Sequence, residues 1–241
     1  MELHKWLLQA YVRCPKQFWY FYTGREARQD VSAALGQQFH SLAHAFFDWV
    51  DKDKLKMLTS ETETYDYFCQ YLQFVSPEAL KELVKTFLLW EAKDWVAIRD
   101  IQSWMPLHRE ARVNLKIQGR TWDLTVDRID CLQDEYIVIE YKTFSYNLTS
   151  VRRETALYAF AAYKTGLIPK PATKWEVWCP GRKKRTGGYI SNRTVKALKK
   201  WIVRLYEALD TEQFPPKQGD HCAWCPFVNL CIREHPELWE V

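Results

Sequence analysis

Apolar residues recur at helical spacing through the first half of the chain and at alternating spacing beyond it. Residues 2–22 read as helical, with a break at Arg13-Cys14-Pro15. From Ser32 to Asp51, the positions Leu35, Phe39, Leu42, Phe46 and Trp49 form the apolar stripe of an amphipathic helix. Residues 54–103 set charges among periodic aromatics and contain no glycine. Within them Ser76-Pro77-Glu78 is a helix start, with Ser76 as N-cap, proline at the first position and a carboxylate near the positive helix end. Leu80, Leu83, Val84, Phe87 and Leu88 then mark a buried face. A helical elaboration over about 30–105 is predicted, its aromatics serving as packing rather than as platforms for bases.

From Leu107 the period shortens. Arg109–Ile117 and Arg120–Asp130 predict a hairpin about Gln118-Gly119, and a third strand covers 136–142 after the polar reversal Gln133-Asp134-Glu135. Side chains alternate along such a strand, so Val138, Glu140 and Lys142 share one face while Ile137, Ile139 and Tyr141 share the other. A helix over Val151–Thr165 follows, closed by Gly166 and Pro169, then a strand over Trp175–Trp178. A last long helix, Ser191–Asp210, turns Val195, Leu198, Ile202, Leu205 and Leu209 inward. The pattern predicts an α/β fold with a mixed central sheet flanked by helices. One domain would span 1–241, with its core at about 107–210 and a cysteine segment at 214–241.

Composition narrows the class. Apolar residues make up 47% of the 241, enough for a real core and against disorder. A net charge of +4 permits nucleic-acid binding without demanding it. No apolar run approaches the ~20 residues of a membrane span, and MELHKWLLQAYVRC lacks a signal-peptide core, so a cytoplasmic protein without a membrane partner is expected. In that setting seven cysteines read as metal ligands or buried thiols rather than disulfides.

Two groups of residues carry candidate chemistry. The third strand ends by projecting Glu140 and Lys142 side by side, and Asp127 on the preceding strand brings a second carboxylate. Hard oxygen ligands suit Mg²⁺ or Mn²⁺, which can hold a phosphodiester and make hydroxide available near neutral pH. A lysine beside them can orient the water or offset developing charge. The plain alternative is an ion pair worth about 0.2–1 kcal/mol. His40 and His44 lie four apart on a helix flank, where His44 reads as a polar neighbour of the core stripe. Asp130 reads as support for the turn. Arg182, Lys183, Lys184 and Arg185 form a glycine-flanked basic loop or hairpin tip, either solvated or a clamp on DNA phosphates. The second group is Cys222, Cys225 and Cys231, with Cys14 as the best fourth ligand. Four thiolates suit zinc or an iron–sulfur cluster, and His221 or His235 could replace a thiol around zinc. Cys69, Cys131 and Cys179 lack such spacing and read as buried thiols. No G-x-x-x-x-G-K-[ST] phosphate loop is present, so a fused helicase motor is not expected.

Asp127 … Glu140-x-Lys142 resembles the core of the PD-(D/E)XK nuclease superfamily. LGQQFHSLAH, with Gly36 shortly before His40, resembles that family's first motif, on a helix bordering the metal. ETALYAFAAY resembles the Q-x-x-x-Y motif of RecB-like nucleases; Tyr158 matches it, and Glu154 stands where the family has Gln. Cys14 in a CP-x-x-F phrase and three cysteines near the end bracket these motifs. That order looks like the iron–sulfur RecB-like nucleases, among them the AddB nuclease domain and the CRISPR-associated exonuclease of the fourth Cas family. The resemblance implies a restriction-endonuclease-like fold. Asp127 and Glu140, with His40, would be metal ligands, Lys142 would assist the water, and Tyr158 and Glu154 would border the substrate. It further implies a structural [4Fe–4S] cluster on Cys14, Cys222, Cys225 and Cys231, with zinc as the alternative. Such a staple would close a loop of about two hundred residues. The implied activity is Mg- or Mn-dependent exonuclease action on single-stranded DNA ends, trimming DNA before spacer integration, with CRISPR integrase proteins or a separate helicase as partners. A repair, recombination or phage-borne nuclease shares that chemistry. A non-catalytic DNA- or partner-binding module that keeps the cluster is the other alternative.

Overall fold

The two periodicities become two sets of elements in the computed structural model, which describes residues 2–25 and 31–239. In chain order they are β1 (Leu3–His4), α1 (Lys5–Arg13), α2 (Pro15–Tyr22), α3 (Val31–Trp49), α4 (Lys52–Met57), α5 (Glu61–Cys69), α6 (Glu78–Ile98) and α7 (Ile101–Trp104). The strands β2 (His108–Ile117), β3 (Arg120–Leu132) and β4 (Glu135–Tyr141) come next. The chain continues through α8 (Leu148–Lys164), β5 (Lys174–Cys179), β6 (Lys184–Tyr189), α9 (Asn192–Thr211) and α10 (Val228–Glu234). It divides into a larger unit, Val31–Val113 with Thr125–Ser191, and a smaller one. The smaller unit takes Asn114–Leu124 with the described parts of Met1–Asp30 and Asn192–Val241.

In the larger unit β3 pairs antiparallel with β4, β4 parallel with β5, and β5 antiparallel with β6, so the sheet is mixed. Val138, Ile139, Glu140 and Tyr141 are all buried, because helices cover both faces of β4. Ile139, Tyr141 and Trp178 pack with Phe39, Phe46, Phe87 and Trp104 of the helical elaboration. Val151 of α8 packs with Trp175 and Val177. The rings meet edge-on, as between Phe39 and Tyr141 at 5.7 Å and Phe46 and Phe87 at 5.5 Å, the geometry their quadrupoles favour. Phe68, Phe87, Trp95 and Trp104 are thus packing residues, as predicted; Phe74 departs from that and is 59% exposed.

Four local expectations change. α6 begins at Glu78 with Pro77 in the N-cap position and no side-chain cap, so Ser76 is not the cap. The basic stretch is only partly a tip: Arg182 and Lys183 lie at the turn of the β5–β6 hairpin, whereas Lys184 and Arg185 lie in β6 and pair with β5. Cys179 is fully buried, whereas Cys69 and Cys131 are only partly so. Asp130 does not support a turn: it accepts from Arg128 Nε at 2.6 Å.

Arg128 also pairs with Glu91 of α6, and both side chains are almost completely buried. Burial pushes the Glu91 carboxyl up, to about 7, against the pull of Arg128. Arg128 in turn stays firmly charged, because Asp130 and Glu91 outweigh the cost of burying it. Removing one member of such a pair leaves the other charge stranded. Glu91→Ala is expected to lower unfolding free energy by about 3–5 kcal/mol in a denaturant titration.

In the smaller unit Leu3 and His4 pair parallel with Trp122 and Asp123. Tyr11 donates to the Arg204 carbonyl at 2.9 Å, and Trp122 Nε1 donates to Tyr206 Oη at 2.7 Å. The break at Cys14 separates α1 from α2, with Pro15 opening α2 where its missing N–H costs nothing. Phe214 stacks on Trp19 and Phe18, which brings the chain beyond α9 back onto α2. Among the described residues no helix is long and apolar enough to cross a membrane.

Candidate active site and thiol cluster

The antiparallel register pairs Arg128 with Ile139, and one step further it sets Asp127 opposite Glu140. Both carboxylates are buried. The Tyr141 N–H donates to Asp127 Oδ2 at 2.9 Å, fixing that carboxylate against the end of β4. β4 then hands over to β5, as the Lys142 N–H donates to the Trp178 carbonyl at 3.0 Å.

α3 delivers His40 to the same place. Gly36, one turn earlier, lies against Thr143, so the helix runs close to the end of β4. His40 Nδ1 sits 3.3 Å from Glu110 Oε1 and 3.7 Å from Asp127 Oδ1. Burial disfavours the imidazolium, but Asp127, Glu110 and Glu140 outweigh it and raise His40 above its ordinary range. Donor atoms of His40, Glu110 and Asp127 lie within 4.8 Å of one another, a set that could hold a metal ion.

Glu110 is the residue that sequence reasoning missed. Strict alternation along β2 would place it on the face opposite Val113 and Leu115, which are buried. Its φ of +46° breaks that alternation and stands in the left-handed region that few non-glycine residues occupy. Nothing in the residue pattern signals the break.

Glu140 lies beside this trio with its carboxylate turned to Lys142, Nζ to Oε1 2.6 Å. Lys142 also reaches Glu154 Oε2 at 2.9 Å, so the residue standing in the Gln position holds the lysine from α8. Tyr158, one turn along α8, is fully buried. Burial and the carboxylates of Glu140, Asp127, Glu154 and Glu110 push its phenol well above its usual range, so it keeps its proton. His44 stays outside the trio, and its carbonyl accepts from Arg109.

The basic stretch divides. Arg185 is engaged inside the unit, paired with Asp94 at 2.8 Å and Glu176 at 3.2 Å and stacked 3.9 Å over Trp178. Arg182 donates from Nε to the Phe144 carbonyl at 3.0 Å. Lys183 and Lys184 are exposed.

In the smaller unit Cys14, Cys222, Cys225 and Cys231 line one pocket. Gln17 Nε2 donates to Cys225 Sγ at 3.6 Å, and the Lys217 N–H donates to Cys14 Sγ at 3.3 Å. Burial, then the neighbouring sulfurs of Cys14, Cys225 and Cys222, push the Cys231 thiol up to about 11. Burial and the neighbouring sulfurs raise the Cys225 thiol as well, so the pocket holds donors that a positively charged centre would relieve. Among the described residues no three of these sulfurs come within 4.8 Å of one another.

No curated protein matches the chain in sequence. Among solved structures it is similar to the crystal structure of a protein named SSO0001, at 15% identity and a TM-score of 0.39, over 83% of this chain and 95% of that one. A family model of the PD-(D/E)XK nuclease superfamily matches residues 7–232. With most of its length inside that match, the chain belongs to the PD-(D/E)XK nuclease superfamily.

Proposed function

We propose that this protein is a metal-dependent deoxyribonuclease whose hydrolytic site is built from His40, Glu110, Asp127, Glu140 and Lys142. The observation that carries this is the convergence of three ligand atoms from α3, β2 and β3 within 4.8 Å, beside the Glu140–Lys142 pair. The donor set, one imidazole nitrogen and carboxylate oxygens, fits Mg²⁺ or Mn²⁺. Bound there, such a cation would polarise the phosphate and make hydroxide available near neutral pH. The residues supply the rest. Asp127 is fixed by the Tyr141 N–H, so its second oxygen has little freedom to leave the site. Lys142, held between Glu140 and Glu154, offers an ammonium to orient the attacking water or offset charge on the phosphoryl oxygens. Tyr158 keeps its proton and remains a donor.

The finer reading is a RecB-like iron–sulfur nuclease that trims single-stranded DNA ends, as before spacer integration in CRISPR adaptation. The four sulfurs in one pocket support the cluster. The order of the cysteines, one ahead of the nuclease motifs and three after them, favours it over zinc, as in the RecB-like nucleases that order resembles. The order of the motifs supports the substrate and the pathway.

The test is anaerobic purification, a visible spectrum with metal analysis, and cleavage of end-labelled single-stranded DNA with Mn²⁺ or Mg²⁺. Brown protein with about four irons per chain, cutting that EDTA stops and Glu140→Ala abolishes, is the expected result. Brown protein that never cuts would point to a binding module instead. Colourless protein carrying one zinc would overturn the cluster. The Lys142 geometry adds a graded prediction. Glu154→Gln removes one of two carboxylates from the lysine and should change the cleavage rate by less than about tenfold. Lys142→Ala should cost about 10²–10³-fold.

A further inference from the structure

α9 is amphipathic, and from Arg193 to Arg204 the only charges on its outward face are positive. Leu198, Ile202 and Leu205 are buried, while Arg193, Lys196, Lys199, Lys200 and Arg204 are exposed. At 3.6 residues per turn, Arg193, Lys196, Lys200 and Arg204 fall within an arc of roughly 80°, directly opposite the buried stripe. Lys199 lies on its margin. Among the described residues none of the five is within ion-pair distance of a carboxylate. The carboxylates of this helix, Glu207 and Asp210, come after Arg204, and Asp210 is already paired with Arg120.

A row of lysines on a helix is often no more than a solvated face. Here five positive charges on one face exceed the +4 excess of the entire chain, so the remainder of the molecule is slightly acidic. From Arg193 to Arg204 the face extends about 17 Å, the axial length of about five nucleotides of one DNA strand. The basic stretch at 182–185 offers less, since Arg185 is spent on Asp94 and Glu176.

We infer that the outward face of α9 binds the phosphate backbone of the DNA strand, giving the protein a sequence-independent grip contributed by the smaller unit. This rests on DNA as the substrate proposed above. Neutralising phosphates releases condensed counterions, so the contribution of each lysine is read from the salt dependence of binding.

The experiment uses the full-length chain carrying Glu140→Ala, so that bound DNA is not cut. Binding of a fluorescein-labelled single-stranded oligonucleotide is followed by anisotropy from 50 to 200 mM KCl. Adding Lys196→Gln, Lys199→Gln and Lys200→Gln together should lower the slope of log Kobs against log salt by about 2, at ~0.7 per phosphate contact on a single strand. The three Lys→Arg changes should keep the parent slope, and matched thermal midpoints guard against misfolding. A slope unchanged by the glutamines overturns the inference and leaves the face to an acidic protein or an anionic surface. A parent protein that binds no oligonucleotide overturns it too. Cleavage by protein with native Glu140 is scored separately. A protein that does not cut but shows the slope change sinks the nuclease reading alone, and one that cuts with an unchanged slope sinks only this one.

Discussion

Asp127→Asn is expected to lower the single-turnover rate of DNA cleavage by about 10³-fold or more, a loss of about 4 kcal/mol in transition-state stabilisation. The substitution changes one oxygen for an amide and preserves the volume of a buried side chain. An asparagine oxygen can still accept from the Tyr141 N–H, so the link to the end of β4 survives. The negative charge that faces His40 at 3.7 Å does not. A metal site loses affinity when a charged ligand becomes neutral, whereas a merely structural carboxylate would show its loss in stability. The measurement therefore pairs cleavage rates over a Mn²⁺ titration with the thermal midpoint. Loss of cutting with a near-native midpoint is the expected outcome. Full activity with a collapsed midpoint would make Asp127 a structural residue. Glu110→Gln in the same assay should behave like Asp127→Asn, which asks whether the left-handed residue of β2 belongs to the site.

The second large effect is expected at the thiols. Cys231→Ser should remove the proposed metal centre and lower the thermal midpoint by roughly 10 °C. Cys14 and the C-terminal cysteines lie about two hundred residues apart, and a link across a loop of that length removes close to 5 kcal/mol of unfolded-chain entropy. For a chain of this size each kcal/mol moves the midpoint by about 2–4 °C. Iron and sulfide analysis, absorbance near the visible charge-transfer bands and calorimetry on one preparation would check this. A variant that keeps its midpoint would show that the ring stack of Phe18, Trp19 and Phe214 holds the smaller unit by itself.

Residues placed by the geometry of their own strand or helix are legible in the sequence. Glu140 and Lys142 share a face because alternation is local, and the antiparallel return of β3 brings Asp127 opposite Glu140 through a short turn. His40 was legible from its phrase, and the structure places it beside Asp127. The three late cysteines stand out by their spacing and Cys14 by its CP-x-x-F phrase, and all four line one pocket. What escaped depends on departures from periodicity or on distant partners. Glu110 enters through a positive φ that alternation cannot register. The Arg128–Glu91 pair joins a strand to a helix thirty-seven residues earlier, and no local pattern couples them. Arg185 looked like a phosphate ligand because the sequence does not reveal Asp94 as its partner. In α9 the outward cations follow from the same period as the inward apolar positions.

The placement of Cys14 with the last cysteines has a consequence for synthesis. At about 5–20 residues per second, a ribosome needs about 10–40 s to travel from Cys14 to the first of its three counterparts. All the sequence of the larger unit, through Ser191, emerges within that interval. The proposed hydrolytic site can therefore assemble while Cys14 still waits, reduced and without its companions. Assembly of the proposed cluster would then follow synthesis of the larger unit, limited by iron supply and by oxidants that reach the waiting thiol first. In an aerated, iron-poor culture the expected product is a chain with a formed larger unit and a loose smaller one. Its specific activity should then track the growth medium more closely than the expression level.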